Sequence, residues 1–372
     1  MATDKPAVLI IGGLGFVGRH LALHIHKNNL ASELRIVDKL LPQLAWLAPE
    51  FEEACSKEQF VQADASREQS YPRMFDRADG KQFDYVINCA GDLRLSQPEE
   101  VYQLRNHAMS MGLAREVAKR GIAVYVQAST SYIYKSGSKP AKEDDKKKPW
   151  HSLAKWQLQV EEDLPSVEGL NWASLRLPHI YGPYDRGYTA VAIALARTHQ
   201  YLQTGFDQLE SKDLKFNTLH VKDAARALWT AAVWRAGQKE TPTAGPHIFN
   251  VVDHTDTTRD QIGAALAEVF GLKVTFAGTF MSHLARLRLN DIVDEMNEDM
   301  LQAWAEMLED KGITRPGPIS PFIEVDMLSD NDLCVDGSLF EATTGFQLEY
   351  PLFTSDSIRE VIASYERMGW WP

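Results

Sequence analysis

The sequence has few cysteines, no long apolar run and a deficit of positive charge, and each scarcity closes off a class of function. Cys55, Cys89 and Cys334 are odd in number, far apart and without metal-ligand spacing. That excludes a disulfide framework and a cysteine zinc site, and it fits a reducing compartment. No apolar run approaches the roughly 18 residues that cross a bilayer. The first strand-like segment begins within about eight residues of Met1, which leaves no room for a secretory leader, so a cytoplasmic protein without a membrane span is expected. Thirty-nine Lys and Arg stand against 51 Asp and Glu, a net charge of −12, which argues against nucleic-acid and anionic-membrane partners. Internal repeats and low-complexity segments are also missing.

What is present is an ordinary globular composition, 44% hydrophobic and 24% charged over 372 residues. That length exceeds the size at which single cores usually stop growing, so a large domain with a smaller second lobe is expected. The chain is organised around Val8-Leu9-Ile10-Ile11-Gly12-Gly13-Leu14-Gly15-Phe16-Val17-Gly18. A strand-length apolar run breaks into glycines and continues as a helix to about Asn28. Gly13, Gly15 and Gly18 satisfy G-x-G-x-x-G, and Gly12, Gly15 and Gly18 satisfy the variant G-x-x-G-x-x-G. Such a turn presents unpaired N–H groups and a helix N-terminus to a diphosphate. Twenty residues after Gly18, a second apolar run ends in Asp38, where a ribose-binding carboxylate is expected.

Strands and helices then alternate. Gln59 to Asp64, Phe83 to Gly91, Ile122 to Ala128 and Trp172 to Leu177 read as strands, and a helix carrying Asn106 runs to Arg120. Leu40 to Glu58 reads as a proline-punctuated helical stretch, and a helix begins near Trp150. This order calls for a parallel sheet with helices on both faces and ligands at the carboxyl ends of the strands. His20, His24 and His26 are placed on the solvent side of the first helix, and Lys142 to Pro149 is read as a solvated loop. Trp150, Trp156 and Trp172 are assigned to the core and Arg186 to the surface.

The markers accumulate further on: Asn88-Cys89-Ala90-Gly91, Ala128-Ser129-Thr130-Ser131 ending in Tyr134, Lys155, Leu175 to Pro183, Leu219-His220-Val221-Lys222-Asp223 and Ile248 to Val252. In order and spacing the chain resembles the extended short-chain dehydrogenase/reductase family, the group of NAD-dependent epimerases/dehydratases and 3β-hydroxysteroid dehydrogenases. The resemblance implies an α/β, doubly wound parallel-sheet Rossmann domain over residues 1–183 and 215–253. A smaller, mostly helical substrate lobe would span 184–214 and 254–372. It implies that Gly12, Gly15 and Gly18, with Phe16 and Val17 of the helix start, hold the NAD pyrophosphate. Asp38 would take the ribose hydroxyls, which favours NAD over NADP, a preference softened by Lys39. Asp64 and Ala65 would lie beside the adenine, Ala90 and Gly91 along the cofactor, and Pro178 to Ile180 near the nicotinamide. Thr130 would hydrogen-bond the substrate oxygen, and Lys155 would fix the ribose. The implied partner is a small-molecule substrate, with a homodimer as a candidate assembly and no metal.

One departure stands out. The family pair Tyr-x-x-x-Lys is here His151-Ser152-Leu153-Ala154-Lys155. Imidazole titrates near 6.5, and a neighbouring ammonium and a nicotinamide cation lower it, so His151 should be mostly neutral at pH 7. Three readings stay open: His151 is an altered acid/base, Tyr132 or Tyr134 takes the role, or redox chemistry is lost and the pocket serves binding. An imidazolium donor would make reduction faster as pH falls from 8 to 6.

In the second lobe, Thr257 to Phe270 carries Ile262, Leu266 and Phe270 at helical spacing, and Phe280 to Leu308 reads as a charged helix. That charge favours a soluble lobe over a membrane-associating one. Gly312 to Pro321 is a loop long enough to cross the site. Nothing from Tyr184 to Asp213 spells a sugar-nucleotide clamp, and the substrate stays open.

Overall fold

Ala7–Ile11 is apolar without alternation, the pattern of a strand covered on both faces. In the computed structural model it is β1, buried at every position. The structure describes residues 5–56, 58–238, 245–276, 289–328 and 330–372. Along it follow β2 (Glu33–Asp38), β3 (Phe60–Gln62), β4 (Tyr85–Asn88), β5 (Val124–Thr130), β6 (Trp172–Leu177), β7 (His179–Tyr181), β8 (Phe206–Gln208), β9 (Thr218–His220), β10 (Ile248–Asn250) and β11 (Val274–Phe276). Seven strands form one sheet in the order β10-β6-β5-β4-β1-β2-β3, and every pairing in it is parallel. The strand order reverses between β1 and β4, where a doubly wound sheet opens its ligand crevice.

The helices are α1 (Phe16–Lys27), α2 (Pro49–Glu52), α3 (Tyr71–Phe75), α4 (Glu99–Tyr102), α5 (Met109–Lys119), α6 (Ser152–Asp163), α7 (Tyr188–Leu202), α8 (Val221–Ala236), α9 (Arg259–Phe270), α10 (Leu289–Asp310), α11 (Ser338–Thr344) and α12 (Ser355–Arg367). The pleat divides β1 between two cores. Val8 and Ile10 pack with Leu21 and Ile25 of α1 and Leu228 of α8. Leu9 and Ile11 pack with Leu113 and Val117 of α5. Each such side chain contributes about 1.5–3 kcal/mol by burial. A register slip of one residue would exchange the two faces, so β1 is held in place. The first core continues without a break into the second lobe through Leu266 of α9, Trp304 of α10 and Val361 of α12.

Several local expectations change. His20 is not on the solvent side: it is 4% exposed, wedged edge-on between Phe16 and Phe51, and burial lowers its pKa to about 3. Among the described residues of Leu40 to Glu58 the helix is confined to the short turns Pro42–Leu44 and Pro49–Glu52. Asn106 lies in a π-helical segment, Gln103–Ala108, between α4 and α5. The loop at Lys142 to Pro149 is exposed at most of its charges, but Glu143 turns inward and accepts the Asn250 N–H at 2.8 Å. The second lobe contains a small parallel sheet of β8 and β11 as well as helices. Of the helix read over Phe280 to Leu308, residues 280–288 lie outside the described residues, and the remainder is α10. Among the described residues no helix is long and apolar enough to cross a membrane.

Candidate active site

Because the sheet is parallel, the ends of β1, β2, β4, β5 and β6 share one edge, and the residues singled out in the sequence gather there. Gly12 has φ +75, and a Cβ on it would lie 2.7 Å from the Ala90 backbone. On Gly18 a Cβ would lie 2.2 Å from the Gly12 carbonyl oxygen. Gly15 is different, with only that oxygen nearby at 3.1 Å. Gly15 caps α1 without any side-chain cap, and the first turn holds no acid. The N–H groups of Phe16 and Val17 and the positive helix end are therefore available to an anion.

Arg19, which the sequence pattern gave no reason to single out, supports this turn from below. It is 1% exposed and donates to the carbonyls of Leu14, Gly15, Ala45 and Trp46. Burial, and then Arg186, lower its pKa to about 10, so it remains a cation at neutral pH. Asp38 is tied to the same turn. Its Oδ2 accepts the Leu14 N–H at 3.1 Å and its Oδ1 the Leu40 N–H at 3.0 Å, and each oxygen keeps a lone pair for a ribose hydroxyl. Asp64 accepts from the Ser66 N–H and hydroxyl on Oδ1, beside the buried Ala65. Asn88 fixes the next turn: its Oδ1 accepts the Ala90 N–H at 3.0 Å. Asn106 holds the residues after Gly91 by bonding both the N–H and the carbonyl of Asp92. The open face at Gly15, the uncapped helix start and the anchored carboxylate fit an NAD diphosphate and ribose.

Thr130 ends β5, 9% exposed, and its Oγ1 accepts the Tyr132 N–H at 3.3 Å. The Tyr132 ring lies 5.7 Å from the His151 ring, and burial raises its phenol pKa. Tyr134 is withdrawn from the edge, donating to Asn250 Oδ1 at 2.7 Å and accepting from Arg176; burial raises it to about 12. Pro178 is buried and Ile180 half-buried. Between them His179 bonds Thr189 through Nε2 at 2.8 Å, and burial lowers its pKa to about 3.

His151 is the N-cap of α6. Its Nδ1 accepts the Ala154 N–H at 3.1 Å from an extended backbone, φ −150 and ψ 169. Lys155 follows one turn later, its N–H on the His151 carbonyl at 3.1 Å; its side chain is exposed and its ammonium pairs with Glu99 of α4.

The sequence matches the NAD dependent epimerase/dehydratase family over residues 8–251, from β1 to the strand at the sheet edge. The chain belongs to that family. No curated protein matches it significantly by sequence. Solved structures show the fold. The Bordetella bronchiseptica enzyme WbmG, in complex with NAD and UDP, has TM-score 0.68 at 14% identity, covering 99% of this chain and 97% of that one. Thermus thermophilus UDP-glucose 4-epimerase with NAD has TM-score 0.63 at 18% identity, covering 97% and 99%. UDP-N-acetylglucosamine 4-epimerase of Methanobrevibacter ruminantium, in complex with UDP-N-acetylmuramic acid, has TM-score 0.64 at 16% identity, covering 99% and 98%.

For an NAD-dependent family member the state of His151 has a direct chemical meaning. Capping uses the Nδ1 lone pair, so the neutral ring carries its proton on Nε2. Forming the imidazolium would put a proton on Nδ1 against the Ala154 N–H, and burial lowers the pKa further against the opposing pull of Asp326. The cap and burial both work against the imidazolium, so His151 is biased toward the neutral Nε2–H ring, a hydrogen-bond donor. ¹⁵N spectroscopy of the histidines at pH 8 should show His151 as the Nε2–H tautomer. A neutral ring carrying its proton on Nδ1 would contradict the cap.

The loop Gly312 to Pro321 does not cross this edge. Gly317 packs so closely on Trp370 that a Cβ would lie 2.1 Å from the indole, and Arg315 covers the Trp46 ring. That loop borders a recess of about 740 Å³ that includes none of the candidate site residues. The second lobe instead reaches the Rossmann part near the site through Asp326, which accepts the Ser96 hydroxyl at 2.8 Å.

Proposed function

We propose that this chain is an NAD-dependent oxidoreductase or epimerase of the extended short-chain dehydrogenase type, acting on a secondary alcohol or ketone of a small molecule. Residues 1–183 and 215–253 hold the dinucleotide, and residues 184–214 and 254–372 shape the substrate side. The observation that carries this reading is the union of Asp38 with an open glycine turn, which provides for a ribose and a diphosphate side by side. Ala90, Gly91, Pro178 and Ile180 line the nicotinamide half, with Asp64 and Ala65 at the adenine. NAD supplies a hydride acceptor when bound. Thr130 orients the reacting oxygen, and His151 polarises it through Nε2–H.

The pinned tautomer of His151 and the pairing of Lys155 with Glu99 favour a second reading, a dinucleotide-binding protein without hydride transfer. The two separate in one experiment. Purified protein is incubated with NAD(H) and a panel of alcohols, ketones and UDP-sugars, the class that solved relatives hold, and absorbance at 340 nm and exchange of the nicotinamide C4 hydrogen are followed. Turnover or exchange supports the enzyme; NAD binding without exchange across the panel favours the second reading.

Asp38→Ala should weaken NAD about tenfold while changing NADP less, because the carboxylate bonds the ribose hydroxyls and repels a 2′-phosphate. Equal weakening of both, measured by calorimetry, would remove Asp38 from the ribose.

A further inference from the structure

Arg259 opens α9 with its side chain 2% exposed. Nothing local favours a cation there, because burial removes its hydration and the positive end of the helix repels it. Its guanidinium carbon lies 3.9 Å from the centre of the Phe216 ring and 4.5 Å from that of Tyr188. Its counter-charge among the described residues is Glu210, also buried, at 3.5 Å from Nη2. That is longer than a charge-assisted hydrogen bond. Nη1 is buried and has no hydrogen-bond partner among the described residues.

This cation stands beside the edge that carries the site. His179, between Pro178 and Ile180, packs on Phe216 with ring centres 4.8 Å apart and on Tyr188 at 5.3 Å. One ring, Phe216, thus joins Arg259 to the strand end assigned to the nicotinamide. Tyr132, whose ring lies 5.7 Å from that of His151, is close enough to feel the same charge. Burial raises the Tyr132 and Tyr188 phenols, the second to about 12, and Arg259 pulls against it in both. Both therefore stay protonated at neutral pH, and among the described residues neither hydroxyl has an acceptor. Two phenols and Nη1 of a guanidinium, donors all, gather on the substrate side without an acceptor, where buried polar groups normally have one.

We propose that Arg259 selects the substrate by binding a carboxylate carried by the same molecule as the reacting alcohol or ketone. The proposal rests on the NAD reading above. A carboxylate matches the fork of one guanidinium edge, and the phenols of Tyr132 and Tyr188 supply further donors. Glu210 sets the charge that is admitted, because its carboxylate repels a diphosphate more than a singly charged group.

The test is calorimetric titration of the NAD-loaded full chain with pairs of compounds in which one member carries a carboxylate and the other does not: UDP-glucuronic acid and UDP-glucose, pyruvate and pyruvamide, mandelate and mandelamide. The acid of at least one pair should bind about tenfold more tightly than its neutral partner, as one charge-assisted contact provides. Arg259→Met, which keeps an apolar stem on Phe216, should abolish that preference and leave NAD affinity unchanged. Glu210→Gln, which removes the competing charge and keeps the volume, should increase the preference. A purely structural ion pair would not respond in this way, so Glu210→Gln carries the test if Arg259→Met melts early. No preference for the acid in any pair overturns the proposal, and so does a preference that survives in folded Arg259→Met. Binding of inorganic pyrophosphate that Arg259→Met abolishes assigns the cation to a diphosphate and also overturns it. A wild-type chain that binds no NAD overturns the NAD reading itself, so the two failures are distinguishable.

Discussion

Gly18→Ala is expected to weaken NAD binding at least about 100-fold, close to 3 kcal/mol, and to lower the melting temperature as well. The added Cβ would sit 2.2 Å from the Gly12 carbonyl oxygen and 2.8 Å from the Gly13 Cα. Both are backbone atoms, so no rotamer relieves the clash and the turn must open. Opening it also breaks the anchorage of the turn by Arg19 and Asp38. Gly15→Ala is the informative contrast. Gly15 has φ −65 and its Cβ would meet only the Gly12 oxygen, at 3.1 Å, so the fold should tolerate alanine with a nearly unchanged melt. Its affinity for NAD should still fall, because the methyl group enters the space assigned to the diphosphate. Calorimetry and melting together separate the cases. A Gly15→Ala chain that binds NAD normally would show that the diphosphate lies elsewhere.

The second large effect concerns stability. Glu161 and Arg176 form a buried pair, each side chain 1% exposed, and the remaining bonding capacity of the guanidinium goes to Tyr134 and the Glu143 carbonyl. Glu161→Ala leaves that cation in the interior without its counter-charge, which costs about 3–5 kcal/mol. Chemical denaturation should show this as a lowered midpoint. The double variant Glu161→Leu with Arg176→Met should cost less than Glu161→Ala alone, because it removes both desolvated charges. A single variant as stable as the wild type would show that α6 is held to the sheet by other contacts. Since Glu161 ties α6, which begins at His151, to β5 and β6, loss of the pair should also impair cofactor binding.

What the sequence disclosed and what it concealed follow from the range of the forces involved. The glycine turn, Asp38 and the alternation of strands and helices were legible because they rest on local requirements: a backbone without Cβ, an apolar run, a strand end. Arg19 and His20 were not, because a helical pattern assigns polar residues to solvent, whereas the distant carbonyls of Ala45 and Trp46 and the Phe51 ring help to enclose them. Lys155 matched its motif by spacing, but its pairing with Glu99, 56 positions earlier, could not be read from that spacing. His151 could be read as an imidazole of lowered pKa, but its tautomer depended on the helix beginning one residue later, with Ala154 placed to donate. The path of Gly312 to Pro321 was set by a contact with Trp370 near the other end of the lobe. Arg176 left a trace, a charge inside an apolar strand, though its partner Glu161 could not be named from spacing.

The most direct test of the central claim, that the edge of this sheet is an NAD site, is calorimetric titration of the purified chain with NAD and with NADP. Binding of NAD in the micromolar range, with NADP at least about tenfold weaker, is the predicted result. Absence of NAD binding by a folded chain would contradict the assignment of the glycine turn and of Asp38, and with them the function proposed for the site.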